Sequence, residues 1–255
     1  YDQFPRYFKP TKDPLLISGN YRSHESIVNL GNKVMDRLGP KAVPMNSSYG
    51  DIFKVLLSEF KPTLIERKRH SGDFITPVLI RLIDKLIKEK NSIVLLSRTN
   101  KIPWYIDYTN QKKGRGLQGY LNLLLSFFPK KLHEKISIST VHRYKGMEKS
   151  AVILLDAKNR RYPFLHSNWV FNQILGETQE KIVNEERRLF YVALTRAKHF
   201  LYIITDEVDE TPFLNNINVK KINWEEYPPK ALDNSLFVVK IGNQEEIGTE
   251  PTFQI

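Results

Sequence analysis

An α/β domain built on a parallel sheet, with helices over both faces, is the fold class this sequence predicts. Three apolar runs carry that prediction: SIVLLS at 92–97, SAVILLDA at 150–157 and HFLYIIT at 199–205. Each is too short for a helix and rich enough in β-branched residues for a buried strand. The stretches between them show helical periodicity, and short buried strands alternating with helices are the pattern of a parallel sheet.

Taken in order, DPLLIS at 13–18 reads as a short apolar strand. Ser23 then stands where it can cap a helix whose apolar face is Ile27, Val34, Met35 and Leu38, and GPKAVP stops that helix. Residues 51–61 look extended. FITPVLIRLIDKLIKEK, 74–90, is an amphipathic helix with Val78, Leu82 and Leu86 on one stripe. LQGYLNLLLSFF, 117–128, is read as helix, and ISISTV, 136–141, alternates like a strand. In NEERRLFYVALTRAKHF, 184–200, Asn184 is a good N-cap and Glu185 and Glu186 occupy a first turn that favours acids. Lys198 and His199 would then fall at the end that favours cations. Phe190, Ala193, Leu194 and Ala197 follow the i, i+3, i+4, i+7 spacing of a face packed on the sheet, with Arg188, Thr195 and Arg196 on the other side. From Asp206 the pattern is diluted by polar residues and proline, so 206–255 is expected to be a C-terminal extension whose structure the sequence does not specify.

Composition narrows the function. With 255 residues, 41% hydrophobic and 11% aromatic, the chain can build a real core. Lys and Arg number 39 against 28 acids, a formal +11, which favours polyanionic partners. A solvated basic surface gives the same balance. Cysteine is absent, which excludes disulfides, thiolate catalysis and Cys-ligated metal. No apolar run approaches the eighteen or so residues of a membrane span, and the opening residues lack the order of a signal peptide. A cytoplasmic protein with no membrane partner is the expectation. The chain opens at Tyr1 without an initiator methionine, and further chain is expected upstream.

A phosphate loop is missing from the pattern. No GxxxxGK(S/T) occurs, and no GxGxxG follows a strand. LYIITDEVDE, 201–210, imitates the strand-then-acids order of a magnesium-binding segment, but without a phosphate loop it reads as a solvated acidic turn. The six histidines show no metal-ligand spacing, so a metal site built by this chain is not expected.

Three stretches hold the remaining chemistry, and each has an ordinary reading of its own. NEERRLFYVALTRAKHF by spacing alone is an amphipathic helix with solvated arginines. SISTVHRYKGMEKSAVILL is a strand, a polar loop with His142, Arg143, Lys145 and Gly146, then Glu148 before the next strand; Gly146 permits a tight turn at a strand's carboxyl end, where open α/β sheets bind ligands. The plain alternative is a basic connecting loop. LLISGNYRSHESIVNL places Asn20, Tyr21 and Arg22 just before a helix, which alone is a routine cap.

In order, NYRS, TVHRYKGME and EERRLFYVALTRA closely resemble motifs IV, V and VI of the superfamily 1 helicases of the UvrD/Rep/PcrA type, and IVLLSRTN at 93–100 resembles their motif IVa. The resemblance covers about residues 13–205. It implies the second of two RecA-like domains, a P-loop NTPase-like α/β fold lacking its own P-loop. ATP would lie in the cleft between the two halves, and the phosphate loop and the Mg2+ ligands would come from an N-terminal RecA-like domain upstream of Tyr1. By the same resemblance Arg196 and Arg22 would reach the γ-phosphate as arginine fingers, permanently charged planar donors that stabilise charge on the transferred phosphoryl. Tyr21 would stack on adenine, Glu148 would accept from the ribose hydroxyls, and Gly146 would join them in binding the nucleotide. Arg188 would brace the helix and the motif V loop. Thr140 and His142 would face single-stranded DNA, as would Arg98, Thr99 and Asn100, in phosphate contacts that give affinity without reading sequence.

Two residues depart from the family pattern: Met147 replaces the usual Leu, a volume-conserving change, and Lys149 stands where an aromatic is common. The interval from about 101 to 135 has room for only a helix or two, so the 2B subdomain of larger relatives is expected to be absent or vestigial. The resemblance implies the motor half of an ATP-dependent DNA helicase or translocase, moving 3′ to 5′ and inactive as a fragment. Two alternatives stand beside it, a degenerate DNA-binding module and a helicase-like ATPase subunit that works with a nuclease or other partner protein in a defence assembly.

Overall fold

The computed structural model describes residues 18–59, 75–101, 116–165 and 178–223. Its centre is a five-stranded sheet of β3 (Asp51–Leu56), β4 (Ile93–Ser97), β5 (Ile136–Thr140), β6 (Lys149–Leu154) and β7 (Ala197–Thr205). The order across the sheet is β3-β7-β6-β4-β5 and every pairing is parallel. A two-residue pair, β1 (Gly19–Asn20) with β2 (Val43–Pro44), lies outside it. The predicted α/β class with a parallel sheet between helices is therefore the observed one. DPLLIS falls almost entirely outside the described residues, as do Phe74 and the interval 102–115.

Alternation along each strand sorts the core into two layers. Ile93, Leu95, Ala151, Ile153, Tyr202 and Ile204 face one way, against α2 (Thr76–Lys88) and α3 (Gly116–Ser126). Val94, Leu96, Val152, Leu154, Leu201 and Ile203 face the other, against α1 (Glu25–Val34) and α4 (Gln179–Leu194). Period-2 side chains in a sheet covered on both sides must be apolar on both faces, which is why these strands read as unbroken hydrophobic runs. Val78, Leu82 and Leu86 are all fully buried, as their spacing requires. Pro in the first turn of α2 and Lys85 and Lys88 in its last turn match the orphan N–H groups and the dipole of a helix.

Several local expectations are corrected. Ser23 does not cap α1; its hydroxyl is buried and donates to Ala197 O at 2.7 Å, and His24 caps instead, its side chain accepting from Ser26 N. The helix stops at Val34, so Met35 and Leu38 are only half-buried and the core face is Ile27, Leu30 and Val34. Helix α4 begins at Gln179, not after Asn184, because the Thr178 hydroxyl accepts Lys181 N and nothing in QEKIV breaks a helix. It ends at Leu194 with Thr195 as C-cap. Ala197, Lys198 and His199 thus open β7 and do not close the helix. Pairing of Lys149 with Ala197 and of Ala151 with Phe200 leaves one extra residue in β7, a bulge near the start of that strand.

Beyond β7, residues 206–222 stay on the same body: Thr211, Phe213, Leu214 and Ile222 are buried, and Lys54 N and O bond to Lys220 O and Ile222 N. Packing among the described residues does not stop at Asp206. The acids of LYIITDEVDE meet a lysine, since Lys158 Nζ lies 3.9 Å from Asp206 and 3.2 Å from Asp209.

Candidate functional site

The turn that carries Asn20, Tyr21 and Arg22 is held from both sides. Asn20 Oδ1 accepts Arg22 N and Ser23 N, a local side-chain turn of the kind asparagine favours. Ser23 Oγ then binds Ala197 O, and His24 N donates to Lys198 O at 2.7 Å. The NYRS turn is in this way docked on the start of β7. A second connection reaches the same place: Lys149 N donates to Arg196 O at 3.1 Å, so the first residue of β6 lies beside Arg196.

Between β5 and β6 the chain must cross β4 and return toward the sheet's other end, and it does so within residues 141–148. Residues 141–146 form a tight coil, with Tyr144 N bonded to Thr140 O and Met147 N to Tyr144 O. Val141 and Tyr144 are buried in the layer shared with α1 and α4 and hold this segment down. Gly146 ends it at φ +85°, a left-handed position where any Cβ is strained, and no atom stands within 4 Å of the place a Cβ would take.

Glu148 is thereby delivered to the amino end of β6. The turn was expected to expose its neighbours at a strand's carboxyl end; Glu148 lies instead at a strand's amino end. Thr140 pairs with Ser97 at the carboxyl end of the sheet, whereas Glu148 precedes a strand whose Ala151 pairs with Ile93 at the amino end. The two residues therefore lie toward opposite ends of the sheet.

At the amino end three separated segments converge. Glu148 Oε2 meets Arg22 Nε at 2.5 Å, and Glu148 Oε1 meets Lys198 Nζ at 2.5 Å. The Lys198 hydrogen bond pulls the Glu148 pKa below the ordinary carboxylate value; burial, the next effect in size, opposes it, and the charges of Lys198 and Arg22 add to the lowering. Two cations on separate oxygens leave lone pairs of this carboxylate open to a further donor. Arg196 lies against them, 9% exposed, donating from Nε to Val192 O (3.0 Å) and from Nη1 to Met147 O (3.2 Å). It was expected on the solvent side of the helix; with the helix already ended, its side chain instead folds under the motif V coil. Burial first, then the charge of Arg22, lowers its pKa. Tyr21 is 73% exposed beside this cluster, a free aromatic face, with Met45 and Met147 also exposed. Arg188 is exposed, while its neighbour Arg187 bonds Val34 O at 3.2 Å and lies over the Phe213 ring at 5.0 Å.

The carboxyl end gathers the other candidates. Thr140 is half-buried, and Asn100 and His142 are exposed. Burial, then the charges of Arg98 and Lys145, lowers the pKa of His142 and favours the neutral ring. Arg98 does not project to solvent as a DNA contact would: it donates Nε and Nη2 to Glu186 at 3.0 and 2.5 Å, and both side chains are about nine-tenths buried. Thr99 Oγ1 accepts from Arg161 at 3.5 Å. Sequence reasoning missed Glu186 and Asp156. Glu186 occupies the i−4 position to Phe190, so a charge on the buried stripe was the available signal.

The UvrD-like helicase C-terminal domain family matches residues 121–207, which include β5, the motif V coil, β6, α4 and β7. Over that stretch the chain is similar to UvrD-like helicase C-terminal domains. A probable DNA helicase of Mycoplasma pneumoniae is 37% identical over 75 residues, 29% of this chain and 13% of that protein. A probable DNA helicase II homolog of Mycoplasma genitalium is 35% identical over 92 residues, 33% of this chain and 12% of the relative. Another such homolog, from Mycoplasma pneumoniae, is 27% identical over 136 residues, 53% of this chain and 15% of the relative. The matched stretches are thus a small part of each relative's length. The crystal structure of the C-terminal domain of a possible DNA helicase from Lactobacillus plantarum is a distant likeness, covering 78% of this chain and 94% of its own at TM-score 0.43 and 12% identity. No helix among the described residues is long and apolar enough to cross a membrane. No group of three or more His, Asp or Glu among them is placed to hold a metal ion.

Proposed function

We propose that this UvrD-like domain is the second motor half of an ATP-dependent DNA helicase or translocase, moving 3′ to 5′. It completes an ATP site at its amino-end cluster and holds single-stranded DNA at its carboxyl-end loops. The observation that carries the reading is the convergence of Arg22, Glu148 and Arg196, from three segments distant in sequence, at one end of the sheet. The donor set suits a nucleotide. Arg22, Lys198 and Arg196 are fixed cations matched to phosphate oxygens, Glu148 offers acceptors for hydroxyls, and Tyr21 offers a π face. One carboxylate, Glu148, among the cations Arg22, Lys198 and Arg196 does not suit Mg2+, so its ligands and the phosphate loop are assigned to an N-terminal RecA-like domain upstream. Arg196 acts as a finger: closure of the two halves would exchange its bonds to Val192 O and Met147 O for the transferred phosphoryl, which ties hydrolysis to closure. Thr140, His142, Thr99 and Asn100 contribute polar groups to backbone contacts on DNA, and the +11 balance of the chain supports a polyanionic track.

The test is single-stranded-DNA-stimulated ATP hydrolysis by the full-length protein, wild type against Arg196→Ala at matched melting temperature. A loss of about 10³ in rate is expected of a finger arginine. A wild type without DNA-stimulated turnover, or a variant that equals it, refutes the reading.

A further inference from the structure

Helix α4 touches both ends of the sheet. Its C-terminus delivers Arg196 to the amino-end cluster, and Glu186, two turns earlier, reaches the carboxyl end. Glu186 and Leu194 are about 12 Å apart along the axis. Glu186 accepts from three donors on two other segments: Arg98 Nε at 3.0 Å, Arg98 Nη2 at 2.5 Å and Phe164 N at 3.1 Å. Arg98 opens the loop after β4, and Phe164 lies in the stretch after β6. The Arg98 guanidinium also rests over the Phe164 ring at 5.2 Å. From beneath, Asp156 fixes the start of the same loop, accepting Arg98 N on both oxygens (3.1 and 2.9 Å) and Ser97 Oγ at 3.0 Å. Thr99 and Asn100 continue directly from this clamp.

A nearly buried ion pair is a poor device for stability, because desolvation cancels much of the attraction; its best-attested use is to fix one arrangement against its alternatives. The bidentate fork adds direction, since both bonds survive only while α4 and the Arg98 loop keep their mutual position. A helix of this length is stiff, so a displacement of its Arg196 end moves Glu186 with it.

We propose that Glu186 is a positioning residue that transmits the placement of α4, and with it of Arg196, to the Arg98–Asn100 loop, coupling nucleotide occupancy to the grip on single-stranded DNA. This rests on the function proposed above. Such coupling is reciprocal, so nucleotide must change DNA affinity by the same factor as DNA changes nucleotide affinity.

The experiment measures the affinity of the full-length protein for an oligothymidylate by fluorescence anisotropy, with and without a non-hydrolysable ATP analogue. Wild type is compared with Glu186→Gln, which keeps the shape of the side chain and places an amide N–H₂ against the Arg98 fork. The wild-type ratio of the two affinities is expected at roughly fivefold or more, the usual scale of coupling between sites, and is expected to fall below about twofold in the variant. A residue that only stabilises the fold would lower the melting temperature and leave the ratio intact. If Glu186→Gln does not fold, Arg98→Lys decides: it keeps the charge, cannot make both bonds, and is expected to lose the ratio equally. A variant that retains the wild-type ratio overturns the proposal. A wild type with DNA-stimulated turnover but no nucleotide effect on DNA affinity overturns it alone, and a wild type with neither overturns the functional reading as well.

Discussion

Asp156 makes the protein less stable as pH rises through the acid range, and the size of the effect follows from its surroundings. The residue is 2% exposed just beyond β6, and burial raises its pKa from 3.8 to about 6 against the lowering effects of Arg98 N, Ser97 Oγ and the Arg161 and Arg98 charges, in that order. The folded state therefore holds this proton more tightly than the unfolded chain. Its stabilising contribution is complete below the unfolded value and is lost as pH rises through the folded one. Integrated from about pH 4.5 to about pH 7.5, the loss is about 2 kcal/mol. The Asp156→Asn substitution removes the titration and keeps an oxygen acceptor for Arg98 N or Ser97 Oγ. Urea unfolding of both proteins across that range isolates the group, because every other carboxylate cancels in the difference. The gap in stability between the Asp156→Asn variant and wild type should shift in the variant's favour by about 2 kcal/mol on going from the acid to the neutral end. A difference that stays level within the error of the extrapolation would refute the argument that Asp156 is a carboxyl whose burial outweighs its donors.

Two further perturbations test how the candidate site is held. Gly50 lies under the start of β7, where a Cβ would overlap the His199 carbonyl oxygen and meet its carbon at 3.0 Å. Gly50→Ala must push backbone against backbone, at a cost of about 1–3 kcal/mol, read as a fall of the denaturant midpoint; an unchanged midpoint would mean that β3 and β7 separate freely there. Ser23→Ala removes the buried bond to Ala197 O and is expected to cost about 1 kcal/mol in the same unfolding measurement; on the function proposed above it also weakens nucleotide binding, because Arg22 is the adjacent residue. Wild-type nucleotide affinity in that variant would show that the NYRS turn is positioned by something else.

Alternation and spacing made most of the fold legible. Ile93–Ser97, Lys149–Leu154 and Ala197–Thr205 are so largely apolar that a strand covered on both faces accommodates them best, and the Val78, Leu82, Leu86 stripe leaves one face for a helix to bury. Helix ends were less legible. Asn184 looked like a cap because cap chemistry is local and recurs; Thr178 caps because its backbone is extended there, at φ −87° and ψ 151°. The motif residues were legible as a set, yet Arg98 is sequestered by Glu186 and Arg196 by two carbonyls, which spacing along one element does not express.

By itself, then, the sequence determined the class of sheet, the faces of its helices and the identity of the charged groups, because these follow from the side-chain periods of strand and helix and from residue chemistry. Only the tertiary structure decided which groups meet. In a parallel sheet all strands begin at one end and finish at the other, so whether Glu148 joins Thr140 or Arg196 depends on the course of the 141–148 crossover and on strand order. Likewise Glu186 became a bridge between the two ends only because α4 runs antiparallel to β7 across the sheet, a placement set by long-range packing of Phe190, Ala193 and Leu194 on the strands beneath.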